Sequence, residues 1–455
     1  MRLVVMDGRW RGPRPLGSRF DLLECRWPPS AGARLGSSRT KGGSVVEVRA
    51  NQVTGHGRLR LLDAMRLIAA LSVVLFHYTS RVNVAWGNDA PQVLWAPLST
   101  VTSYGLMGVD FFFLISGFVV LMSAWGADLP KFVASRVGRL YPAYWVAVIL
   151  TATVLFFNRG LWIGGSWDSV RPFGVLINLT MMQEAFGVPH VDGVYWSLWA
   201  ELKFYVILGV FLMVGITRQR VLLLAIAWPV VGSLLTVLGL PIVNDLLMPR
   251  YAPFFAAGMI LYLIFREGWT LVSGLALLLN WTLMVRIAYV DVVQRITEQT
   301  SIPANPTVIA ALFTAFIAII ALISQTRLAS ISWRWLTLAG SLTYPIYLLH
   351  MVIGWWAISM LYPALPKTVV LAIVLGGLFL VAYLIHRLVE RPLGPILRRR
   401  VEAGLRYAPG SVTSPPRSAE SVRSGTPASH PLSAAKGADL GHVLPAERAV
   451  EPTRV

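Results

Sequence analysis

Ten apolar runs, each close to the length that crosses a bilayer, occupy residues 61–79, 104–124, 140–157, 194–214, 221–238, 251–265, 269–290, 307–325, 336–358 and 368–387. Hydrocarbon offers no water to a backbone N–H or C=O, so a spanning segment bonds its own backbone as a helix of about 20 apolar residues. The run 251–265 is short, and a further apolar piece at 174–182 is expected to be re-entrant or interfacial. The alternating strands of an outer-membrane barrel are absent from the pattern. Composition agrees: 55% of residues are hydrophobic and 14% charged, with mean hydropathy +0.62. Soluble domains carry about a quarter charged residues. The expected fold is an all-α integral membrane protein of about ten transmembrane helices.

Polar arms are expected on both sides of this core. Residues 1–57 hold ten Lys/Arg and four Asp/Glu among many Gly, Pro and Ser, and read as a disordered basic arm. Residues 404–455 hold seven Pro and seven Ser and read as a disordered tail, leaving 58–403 as the transmembrane domain. The net charge of +18 does not point to nucleic acid, because the basic residues are dispersed among the apolar runs. With the N-terminus in the cytoplasm, fifteen Lys/Arg fall on inner segments and six on outer loops. That asymmetry satisfies the positive-inside rule and predicts cytosolic termini in a multi-pass cell-membrane protein. The lone Cys25 excludes an intramolecular disulfide and a cysteine-based metal site, and no metal is expected.

Ionisable groups inside apolar spans are costly, so each is a candidate for function. The first span carries Arg66 and His77, eleven positions apart. They stand on one helical face, about 16 Å apart along the axis, with an angular offset of about 20°. The second begins GVDFFFLISGF, with Asp110 at its start and Ser116–Gly117 in its body. Asp110 also reads as a helix-start carboxylate, and Ser116–Gly117 as small-residue packing. In KFVASRVGRLYPAYW, Arg136 and Arg139 lie at i, i+3, able to grip a phosphate or to mark the inner side. Tyr141, Tyr144 and Trp145 look like an interfacial belt. In WSLWAELKFY, with Trp196 and Tyr205, Glu201 is expected to face the bundle interior, because residues two apart, such as Glu201 and Lys203, do not face each other. His350 lies in mid-span close to Pro345, which opens the backbone ladder. Arg286 is expected to pair with a carboxylate.

These pieces, in this order, resemble the acyltransferase-3 family of integral membrane acyltransferases. The matching pieces are Arg66-x10-His77, GVDFFFLISGF, Arg136–Arg139 running into LYPAYW, WSLWAE, YPIYLLH and VERP, over about residues 59–391. Each is weak alone, and six in sequence on a ten-helix plan are specific. The family pattern has a second acidic residue after the Glu of W-S-L-x-x-E, where this chain has Leu202 and then Lys203.

The resemblance implies transfer of an acyl group, commonly acetyl, from acyl-CoA as co-substrate to a hydroxyl of a carbohydrate, glycolipid or small molecule. No bound cofactor is implied. His77 is then the base or acyl carrier, imidazole being suited to proton transfer near neutral pH. Glu201 and Asp110 are further catalytic candidates. Arg66, Arg136 and Arg139 would hold the coenzyme phosphates, with Ser116, Trp196, Tyr205 and His350 as other candidates. A transporter or flippase of a lipid-linked sugar or small anion would also need membrane-embedded His, Glu and Arg. No inverted repeat with paired broken helices supports that alternative.

Overall fold

The computed structural model describes residues 59–158, 167–240, 245–362 and 364–407. The expected arm 1–57 and the tail beyond 407 lie outside the described residues, while helix continues through Tyr407, past the expected boundary at 403. The main helices are α1 (Arg60–Thr79), α2 (Gly108–Ala124), α3 (Leu129–Phe157), α4 (Trp196–Val214), α5 (Arg218–Val237), α6 (Ala252–Glu267), α7 (Leu271–Ile287), α8 (Pro306–Gln325), α9 (Arg334–Leu349), α10 (Val352–Leu361), α11 (Lys367–Ile385) and α12 (Arg391–Tyr407). Among the described residues nine helices are long and apolar enough to cross a membrane, and ten if the bent pair α9–α10 counts as one span. Each of the ten sequence runs falls on one of them. The piece at 174–182 holds a short helix, Pro172–Asn178, followed by a turn, and does not span.

Helix α3 begins eleven residues before the expected 140. Asp128 is its N-cap, accepting from the Lys131 N–H at 2.8 Å, and Pro130 stands in the first turn, where its missing N–H costs nothing. The basic stretch KFVASRVGR is therefore helix rather than loop. Further along, Tyr141 and Trp145 donate to the carbonyls of Thr180 and Leu179 at 2.9 and 3.0 Å, and Tyr144 is fully buried. These aromatics anchor the 172–191 segment.

Between α9 and α10 the chain bends by 72°. Pro345, inside α9, has no N–H for the Ser341 carbonyl, and at the bend itself the carbonyls that lose their helical N–H partners find side-chain donors. The hydroxyl of Tyr78 donates to the His350 carbonyl at 2.7 Å, Tyr195 to that of Leu348 at 3.4 Å, and the His350 ring to that of Tyr347 at 2.7 Å. The Asp192 carboxylate accepts from the Val352 N–H at 3.1 Å and from the Val194 N–H at 3.1 Å, tying the start of α10 to the start of α4. Asp192 lies just outside the α4 span, and burial pushes its carboxyl up to about 6. The break is a built feature, and it sets His350 beside the end of α1.

Two close helix crossings position the cavities described below. A Cβ at Gly138 in α3 would sit 2.7 Å from the Gly394 carbonyl oxygen in α12, and one at Gly394 would sit 2.8 Å from that of Gly138. In α9, a Cβ at Gly340 would lie 2.5 Å from that of Asp63 in α1.

Candidate active site

Two cavities lie end to end in the bundle. A wide one of about 820 Å³ opens on the side where α1 begins, lined by Asp63, Arg66, Arg139, Tyr344, His386, Glu390, Arg398, Arg399 and Glu402 among others. A narrow pocket of about 60 Å³ continues inward, lined by Arg66, Arg139, Ser116, Ser197, Glu201, Tyr205, Tyr344 and Tyr347 with apolar neighbours. Arg66, Arg139, Gly340 and Tyr344 belong to both linings. The two buried polar atoms at this junction, Arg66 Nε and the Tyr344 hydroxyl, have no hydrogen-bond partner among the described residues. Such groups are costly unless something satisfies them, and water or a polar atom of a ligand would do so at the junction.

Inside the narrow pocket the Ser116 hydroxyl donates to the Glu201 carboxylate at 2.9 Å. Lys203 is turned away to Asp245, 2.8 Å from its carboxylate, so Glu201 and Lys203 do not pair. Tyr347 forms part of the pocket wall, its hydroxyl 2.6 Å from that of Ser197 and its ring centroid 5.5 Å from His350.

Behind Tyr347 stands a pair of imidazoles contributed by residues 273 positions apart. His77 Nδ1 is 2.8 Å from the Val73 carbonyl oxygen, and His77 Nε2 is 3.1 Å from an Arg81 guanidinium nitrogen. A carbonyl can only accept and a guanidinium can only donate, so Nδ1 carries the hydrogen and Nε2 the free lone pair. The same logic gives His350 its hydrogen on Nδ1, bonded to Tyr347, and leaves its Nε2 as acceptor, 3.3 Å from His77 Nδ1. The network is consistent with two neutral rings. Trp355 donates to the His77 carbonyl at 2.9 Å, and Arg81 lies 5.4 Å from the Trp355 ring centroid.

The remaining sequence candidates are spread around this axis. Asp110, in the first turn of α2, lines neither cavity and lies in the field of Arg295, Arg250 and Asp291. Trp196 stacks on Tyr251 at 5.2 Å and has Arg295 at 5.8 Å from its ring. Arg139 lines both cavities while Arg136 lines neither. The Arg136 guanidinium donates to Ser123 and lies 5.4 Å from the ring centroids of both Phe132 and Tyr205. Arg286 is exposed, with no ion pair among the described residues, contrary to the carboxylate partner expected. Sequence reasoning passed over Arg81 as a loop charge, although its i+4 spacing from His77 was a visible signal. It also passed over Tyr344, and it read Arg398 and Arg399 as topology signals alone.

The acyltransferase domain family covers residues 59–387. The putative peptidoglycan O-acetyltransferase YrhL of Bacillus subtilis is 30% identical over 181 residues, 36% of this chain and 26% of the relative. The peptidoglycan O-acetyltransferase OatA of Listeria monocytogenes is 24% identical over 376 residues, 73% of this chain and 55% of the relative. The acyltransferase MdmB of Streptomyces mycarofaciens is 30% identical over 151 residues, 32% of this chain and 38% of the relative. The chain therefore spans about a quarter of the first of these and just over half of the second. No solved structure matches. These three relatives are named as O-acetyltransferases or an acyltransferase, and none of the three as a transporter. An all-helical core of spanning length and a family match over most of that core lead to one conclusion: the chain belongs to the acyltransferase-3 family of multi-pass membrane acyltransferases.

Proposed function

We propose that the protein moves an acyl group, acetyl by analogy with its relatives, from acyl-CoA to a hydroxyl of a cell-envelope carbohydrate or a small molecule. The observation that carries this reading is the junction where Arg66 and Arg139 serve both the wide cavity and the narrow pocket. A coenzyme polyanion needs basic groups in an open cavity, and its thin acyl-bearing arm needs a narrow one. The wide cavity falls within the usual size range of small-molecule sites. The reacting carbonyl then lies inward of the arginines, on the approach to Tyr347 and the histidine pair.

In the chemical step, His77 Nε2 exchanges its Arg81 contact for the acceptor hydroxyl and takes its proton. The hydroxyl oxygen attacks the thioester carbonyl, and the coenzyme thiolate leaves and receives that proton. The same lone pair serves a route through a transient acyl-imidazole. Purified protein should transfer acetyl from acetyl-CoA, and Arg139→Ala should weaken donor binding by about 1.5–3 kcal/mol, the scale of a charged hydrogen bond. Arg136→Ala, whose side chain lines neither cavity and packs behind Tyr205 of the narrow pocket, should leave donor affinity much closer to wild type. Unchanged donor affinity on Arg139→Ala would remove the assignment.

The reading also sets orientation: the wide cavity faces the cytosol, where acyl-CoA is made. Reporter fusions placed after Arg400 and within 172–190 should report opposite compartments, the first cytosolic. The same compartment for both would overturn the topology.

A further inference from the structure

Helix α12 lies beyond the end of the family match at residue 387, yet it forms one wall of the wide cavity through Gly394, Pro395, Arg398, Arg399 and Glu402. It is held there by two devices. The Gly138–Gly394 crossing brings its backbone against α3 beside Arg139, and Arg406 bridges Asp128 at 2.7 Å and Glu402 at 2.9 Å. Two of the carboxylates in the lining have partners of their own, His386 for Glu390 at 2.8 Å and Arg406 for Glu402. Arg398 and Arg399 are exposed residues of the cavity lining that make no ion pair among the described residues; Arg399 Nε donates to the Pro395 carbonyl at 3.3 Å within α12, which leaves its charge uncompensated. Two unneutralised guanidinium groups on a docked wall are suited to bidentate recognition of phosphate.

We infer that α12 is the part of the donor site that binds the terminal phosphate of the acyl donor's nucleotide, with Arg398 and Arg399 as its ligands. The inference rests on the acyl-CoA reading above. The polarity of that donor selects which phosphate. Its thioester end must enter the narrow pocket, so the pantetheine arm passes Arg66 and Arg139 at the junction. The adenosine 3′-phosphate, at the other end of the molecule, is left at the outer wall built by α12. The headgroup of an anionic lipid offers the same phosphate chemistry to the same arginines. The nucleotide is favoured because this wall belongs to a cavity continuous with the buried Ser116–Glu201 pocket.

The test is binding of CoA and of 3′-dephospho-CoA to the full-length chain in nanodiscs of neutral lipid, repeated with phosphatidylglycerol added. Wild type should prefer CoA. The double variant Arg398→Ala, Arg399→Ala should lose that preference and bind CoA at least about tenfold more weakly. Arg400→Ala, on the same helix but outside the lining, should keep it. A double variant that retains the full preference overturns the role of α12 while leaving the donor reading intact. Wild type that binds no CoA overturns the donor reading and this inference with it. A defect that appears only with phosphatidylglycerol assigns the arginines to lipid and likewise overturns the proposal.

Discussion

Replacing His77 by alanine should lower acyl-transfer turnover by about 10²–10⁴, the contribution of a positioned general base. Membrane insertion and abundance should stay near wild type, because the substitution removes a polar side chain from the interior of a bundle. The size of the loss follows from the hydrogen bonds around the ring. Nδ1–H is committed to the Val73 carbonyl at 2.8 Å, which holds the lone pair on Nε2, the nitrogen now facing Arg81 at 3.1 Å. No second group can take over that lone pair. His350 directs its Nε2 toward His77 Nδ1 and its Nδ1 toward Tyr347, so it acts as a positioning residue. His350→Ala should therefore cost less than His77→Ala, and it should alter the pH profile of turnover more than donor affinity. Single-turnover measurement with acetyl-CoA and a model hydroxyl acceptor separates the cases. A fully active His77→Ala protein would refute the mechanism, and a loss confined to His350→Ala would move the base to the α9–α10 break.

The spans were legible because their hydrophobicity is a local property of the chain. The start of α3 was also written locally, in the Asp128 cap and Pro130, but the basic residues that follow obscured it. Two of the arginines in that stretch show what periodicity leaves open. Arg136 and Arg139 do lie three positions apart on one helix, yet only Arg139 reaches the cavities, because Ser123 at the end of α2, Tyr205 in the middle of α4 and Phe132 one turn earlier on α3 enclose Arg136. Tertiary neighbours decide that choice, and they are not encoded at i, i+3. The apposition of His77 and His350 could not be read at all. It depends on the bend at 350–351, where side chains from α1 and the start of α4 satisfy the opened backbone. Pro345 announced a disturbed ladder, but not its angle or its partner. The wide cavity was hidden for a different reason. Its far wall is α12, whose arginines satisfy the positive-inside pattern and so carried no surplus signal.

The pairing of Ser116 with Gly117 offers a sharp test of how fold and site are joined. Gly117→Ala should destabilise the protein by about 3 kcal/mol, the upper end of the range for overpacking. A Cβ at Gly117 would lie 2.1 Å from the Phe255 carbonyl oxygen in α6, and one at Gly258 would lie 2.1 Å from that of Leu114 in α2. Both obstacles are backbone, so no side chain can swing aside. Relief requires α2 and α6 to separate by about 1 Å, toward the roughly 3.3 Å at which a carbon normally meets a carbonyl oxygen. That movement displaces the neighbouring Ser116, which donates to Glu201 across the narrow pocket at 2.9 Å. Stability and activity should therefore fall together. Ser116→Ala is the matched control, since it removes one hydrogen bond, worth about 1 kcal/mol, and leaves the crossing untouched. Thermal unfolding of the purified variants in detergent, scored beside acetyl transfer, reads both effects. A Gly117→Ala protein with wild-type stability would mean that α2 and α6 do not approach this closely, and the placement of Ser116 against Glu201 would fall with the crossing.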